Sequence, residues 1–102
     1  MSVVTGVMLL VSIGDGTDHS IIDEIQAWLK ARGRGQLAEI SDYAGGSKHP
    51  QFEAFTAGIN YFLEDAEFCE FVLSREWKYP ENVVLILQPE DGPTRVFRPI
   101  AG

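Results

Sequence analysis

Val3 to Ile13 is a nearly continuous apolar run, Val-Val-Thr-Gly-Val-Met-Leu-Leu-Val-Ser-Ile, dominated by β-branched residues. Such a run predicts a strand with both sheet faces covered. The period then changes. Ile21, Ile25, Trp28 and Leu29 fall at i, i+4, i+7 and i+8, a single helical stripe. Gly14 to Ser20, Gly-Asp-Gly-Thr-Asp-His-Ser, provides the turn ahead of it. Asp18 or Ser20 can cap this helix, because a short side-chain oxygen accepts from first-turn amides. Ser20 and Asp23 have the spacing of a capping box, with Asp in place of the usual Glu or Gln. Gly33 and Gly35 end the helix.

Gln36 to Ser41 predicts a short second strand, followed by a loop from Tyr43 to Gln51. Phe52 to Phe62 fits two periods at once. Phe52, Phe55, Ile59 and Phe62 are helically spaced, whereas Phe55, Ala57, Ile59 and Tyr61 alternate. Gly58, Asn60 and the β-branched Thr56 disfavour a helix interior, so a strand is expected, bulged at Gly58. Asp65 can cap a second helix running to about Glu76, with Phe68, Cys69, Val72 and Leu73 inward. Glu67 in its first turn complements the helix dipole, and Pro80 prevents continuation beyond Tyr79. Asn82 to Gln88 is the clearest strand, expected to be buried on both faces. Pro89 to Pro93 turns the chain, and Thr94 to Arg98 returns as a hairpin partner.

This order is β-α-β-β-α-β plus a C-terminal hairpin strand. Short connections and right-handed crossovers then favour an α+β, ferredoxin-like split βαβ sandwich: one antiparallel sheet with two helices on one face. The expected strand order is 5-4-1-3-2, with the second sheet face exposed or used for association. No repeat or linker divides residues 1–102, so a single domain is expected.

Composition narrows the function. Fifteen acidic residues against eight basic ones give a net charge of −7, which opposes binding to nucleic acid or anionic membranes and favours a basic protein partner. The same acidity also serves solubility alone. The apolar start has no basic flank and is too short to span a bilayer, so the chain reads as cytoplasmic. Cys69 is the only cysteine, which excludes a disulfide framework within the chain. Its acidic neighbours raise a thiol's pKa and oppose nucleophilic use.

Candidate chemistry is sparse. Asp15, Asp18 and His19 could form a cation site, although their spacing is not that of an EF-hand loop and a turn with a helix cap explains them as well. Lys48 and His49 follow Gly45-Gly46 in a loop that suits contact with a partner, or simply a wide hairpin. No local carboxylate lies closer to His49 than Asp42 or Glu53, so an oriented general base is not evident. Glu64, Asp65, Glu67 and Glu70 make an acidic helix start near Trp77 and Tyr79, residue types that anchor interfaces. A solvated helix face, with the aromatics closing the core, is the competing explanation.

The leading expectation is a non-catalytic acidic protein-binding domain without a cofactor or metal, of the inhibitor or immunity type that neutralises a basic partner such as a toxin. Its contacts would come from Asp42, Lys48, His49, Glu64, Glu67, Glu70, Trp77 and Tyr79. Two alternatives stand beside it. One is a small-molecule-sensing regulatory domain that forms a homodimer and binds its ligand at Gly14 to His19. The other is a small dimeric enzyme using His49 or His19 as proton carrier.

Overall fold

The structure, a computed structural model, describes residues 3–12, 19–40 and 52–99, with only the backbone at residue 19. In chain order the elements are β1 (Val4–Ser12), α1 (His19–Ala31), β2 (Ala38–Glu39), β3 (Phe52–Asn60), α2 (Asp65–Leu73), a 3-10 turn (Pro80–Asn82), β4 (Val84–Pro89) and β5 (Arg95–Phe97). The strands make one antiparallel sheet in the order β2-β3-β1-β4-β5. This is the expected α+β architecture, consistent with a ferredoxin-like sandwich.

Both helices pack on the same side of the sheet. Val7, Leu9 and Val11 of β1, Phe55 and Ile59 of β3, and Leu85 and Leu87 of β4 share one buried cluster with the helix stripes. From α1 come Ile21, Ile22, Ile25 and Leu29; from α2 come Phe68 and Val72. Each such side chain contributes on the order of 1.5–3 kcal/mol when fully removed from water. Trp28 stacks obliquely on Phe68 and Phe71, with ring centroids 5.5 and 5.8 Å away, and so couples the two helices.

The expectation that β1 and β4 are covered on both faces is overturned. Burial alternates along β1, with Thr5, Val7, Leu9 and Val11 buried and Val4, Gly6, Met8, Leu10 and Ser12 not. In β4, Leu85 and Leu87 are buried while Val84 and Ile86 are only partly so. On the second face Val4, Met8, Leu10, Val84 and Ile86 are apolar and Ser12 and Gln88 polar, and no described segment lies over them.

Several boundaries also move. Ser20 lies inside the first turn of α1 and does not cap it, while Asp18 lies outside the described residues. At the other end, Arg34 N–H donates to Leu29 O at 2.9 Å and Gly33 N–H to Lys30 O at 3.0 Å. With Gly33 at φ +67 this is a Schellman ending, which a Cβ would strain. β2 has only two residues. Gln26 takes over part of the ladder's role, its Oε1 accepting from Leu37 N–H at 2.7 Å and its Nε2 donating to Leu37 O at 2.8 Å. β3 carries no bulge, since its register with β1 is unbroken through Gly6 opposite Gly58.

Asp65 is the first residue of α2, not its cap. Its Oδ1 accepts from Ala66 N–H at 2.8 Å, and its Oδ2 from Arg95 Nη2 at 2.9 Å. The helix ends at Leu73, short of Glu76. Its last carbonyls are taken by side chains: Ser74 Oγ and Arg75 Nε donate to Phe71 O, and Trp77 Nε1 donates to Val72 O.

Candidate functional site

The expected contact residues separate into three groups. Asp42, Lys48 and His49 lie outside the described residues, as do Asp15, Asp18 and the His19 side chain. Trp77 is 7% exposed and belongs to the core, with its indole N–H 2.8 Å from Val72 O. It is not a surface anchor: a large ring five residues beyond that carbonyl closes the helix end and fills the space below. Tyr79 is half-buried next to the Pro80–Asn82 turn, with the Lys78 ammonium 5.5 Å from its ring centroid.

Glu64, Glu67 and Glu70 remain at the surface around the start of α2, but they are not equivalent. Arg34 holds Glu64 in a bidentate pair, with Nε to Oε2 and Nη2 to Oε1 both at 3.0 Å. That hydrogen-bonded guanidinium keeps the Glu64 carboxyl below its ordinary value of 4.5, against a smaller upward push from burial. Arg34 Nη1 also donates to Asn60 O at 3.0 Å, tying the end of α1 to the end of β3. Glu67 and Glu70 are exposed, one helical turn apart, and have no ion-pair partner among the described residues.

Between β3 and α2 lies a turn that the sequence did not mark. Tyr61 has φ 49, a left-handed conformation uncommon for a bulky residue. Its N–H donates to Val3 O at 2.9 Å, and Leu63 N–H donates to Tyr61 O at 2.7 Å. The turn leaves Tyr61 51% and Leu63 84% exposed immediately ahead of the acidic helix. An aromatic and an aliphatic side chain are thus held out by this turn, ahead of a helix whose Glu67 and Glu70 have no ion-pair partner among the described residues. Nothing in the local sequence Asn60-Tyr61-Phe62-Leu63-Glu64 distinguishes the buried Phe62 from the exposed Leu63.

A polar cleft of about 380 Å³ lies between the start of α1 and the end of α2, lined by Ser20, Ile21, Glu24, Ser74, Arg75 and Glu76. Its one cation is already engaged. Arg75 stacks over Phe71 with its guanidinium carbon 4.0 Å from the ring centroid, bonds Phe71 O, and faces Glu24 at 3.7 Å. Burial is the main influence on Cys69 and pushes its thiol pKa up; Arg95 opposes this and Asp65 adds to it. The direction matches the sequence expectation, but the principal cause is desolvation rather than neighbouring acids. Among the described residues, no three His, Cys, Asp or Glu side chains converge as metal ligands. No family model matches the chain, and no curated protein or solved structure matches it significantly.

Proposed function

We propose that this chain is a non-catalytic protein-binding domain that occludes a basic partner, in the manner of an inhibitor or an immunity protein against a toxin. The observation that carries this is the turn ahead of α2, where exposed Tyr61 and Leu63 precede Glu67 and Glu70, which have no ion-pair partner among the described residues. Apolar anchors beside acids suit a basic surface: the anchors supply desolvated contact, and the acids steer encounter and set the register. Tyr61 takes over the anchoring role first assigned to Trp77. The net charge of −7 acts in the same direction at longer range.

The test compares the wild type with a Leu63→Ser, Glu67→Lys, Glu70→Lys triple variant, both immobilised and exposed to native lysate. Salt is set at about 0.05 M and about 0.5 M, on either side of the concentration at which screening reaches ~10 Å. The expected result is a basic protein retained by the wild type at low salt, lost at high salt, and lost with the variant. The purified partner should then form a 1:1 complex with the wild type. Identical retention by wild type and variant would sink the proposal.

A further inference from the structure

The five-stranded sheet has a second face that no described segment covers, and the register defines its residues. One row crosses all five strands: Ala38, Thr56, Met8, Ile86 and Val96. A neighbouring row carries Ala54, Leu10 and Val84. None of the strand positions on this face is charged. The charged strand residues, Glu39, Glu53 and Arg95, all pair in register with residues of the helix-covered side. In a chain that is 23% charged, this is a sorted surface.

Its polarity is lower still than the residue names suggest. The Thr56 hydroxyl, near the centre, donates to Val7 O at 2.9 Å, so covering it strands no donor. An antiparallel sheet with one solvated face ordinarily alternates apolar and polar residues. β1 and β4 do not, and instead carry the pattern of strands covered on both sides. The chain outside the described residues adds only Met1, Ile13, Tyr43, Ala44, Pro50, Ile100 and Ala101 as apolar residues, scattered over four segments.

We propose that a second copy of this chain covers the open face, in a two-fold dimer joined sheet to sheet. Charge argues against the basic partner here, which gains nothing from an uncharged face, whereas a second copy can meet it with Asp23, Glu24, Glu67 and Glu70 outward on the helix layer. The size of the face sets the strength of the contact. Five strands about 4.8 Å apart and nine residues of β1 at about 3.3 Å each span about 24 by 30 Å, tapering at the short edges. With strands of nine, two, nine, six and three residues the area is on the order of 460 Å² per copy, below the standard of about 600–1,000 Å² per partner and fitting a weak, concentration-dependent contact.

Shape agrees as well. Gly6 and Gly58 face each other in register on the central strands. A Cβ at Gly6 would come no closer than 3.6 Å to Gln88 O, and one at Gly58 would sit 3.5 Å from Val4 Cγ1. Neither position has a left-handed φ, so the fold itself does not demand glycine there. Gly6 lines a hollow of about 150 Å³ with Met8, Thr56, Ile86 and Gln88. In a two-fold contact the same patch meets itself, so each copy's Met8 and Leu10 can enter the other's hollow. Edge pairing is disfavoured by comparison, because β2 and β5 have only two and three residues.

Sedimentation equilibrium from about 1 to about 300 µM tests this, spanning the affinity expected of a small apolar interface. The wild type should approach twice the 11.3 kDa chain mass. Ile86→Lys and Val96→Lys should stay monomeric, with unchanged far-UV circular dichroism. Val96 is 59% exposed on an edge strand, so its variant decides the matter if Ile86→Lys fails to fold. Gly58→Val should raise the melting temperature of the dilute monomer, because glycine weakens a strand, yet weaken dimerisation at least tenfold. A wild type that remains monomeric throughout overturns the proposal, whatever else its face binds. A dimer indifferent to both lysine substitutions overturns it equally.

Discussion

Arg34 joins three segments through one guanidinium: its own post-helix turn, the last carbonyl of β3 and the Glu64 carboxylate at the entry to α2. Because the pair lowers the Glu64 pKa in the folded state, its contribution is fully present above the ordinary value of 4.5. It is lost as pH falls from there through the lower folded value. Glu64→Gln should therefore melt below the wild type at pH 7, and the gap should close as the pH drops beneath 4.5. Thermal melts of both proteins across that range check the sign. A gap that widened on acidification would show that the pair does not behave as an ion pair. Tyr61, at the same junction, holds a left-handed backbone that costs on the order of 1 kcal/mol and keeps Leu63 outside. Strain and exposure in one turn suit recognition better than packing.

Trp77 sets where α2 stops. Its indole takes the Val72 carbonyl that an added helical turn would use, and its ring completes the core beneath. Trp77→Phe should cost about 0.5–1.5 kcal/mol for the lost indole bond, since Val72 O still accepts from Arg75 N–H at 3.3 Å; Trp77→Ala should cost about 3–5 kcal/mol because a cavity is added. Urea denaturation separates the two, and equal losses would mean that the bond contributes nothing beyond volume. The same residue shows what was legible in the sequence. Period identified α1, β1, β3 and β4 and led to their order in the sheet, since the apolar stripe of Ile21, Ile25 and Leu29 has one physical meaning. Element ends were misplaced where distant side chains decide them: Trp77 for α2, the Gln26 amide for the shortened β2, Arg95 on Asp65. The acidic start of α2 was legible as composition, whereas the exposure of Tyr61 and Leu63 beside it was not. Exposure of Leu63 and burial of Phe62 follow from a backbone turn that the side-chain pattern does not encode.

For the molecule as a whole, charge is sorted: the open face has none at its strand positions, and the acids Asp23, Glu24, Glu67 and Glu70 stand exposed on the helix layer. Two proposed contacts, a dimer through the sheet and a basic partner at α2, should therefore respond to salt with opposite signs. Two charges of −7 about 25 Å apart repel by on the order of 8 kcal/mol in unscreened water. Screening at about 0.05 M salt reduces this to about 1–2 kcal/mol, and about 0.5 M nearly abolishes it. Self-association should thus tighten on the order of tenfold over that range, since the apolar contact is left without repulsion to overcome. Binding of a basic partner should weaken over the same range, because its attraction is what the ions screen. Measuring both constants on one preparation assigns each surface its role. Self-association that weakened with salt would place charged residues in the dimer contact and remove the sheet face from consideration, whereas a salt-insensitive heterocomplex would take the acids of α2 out of recognition.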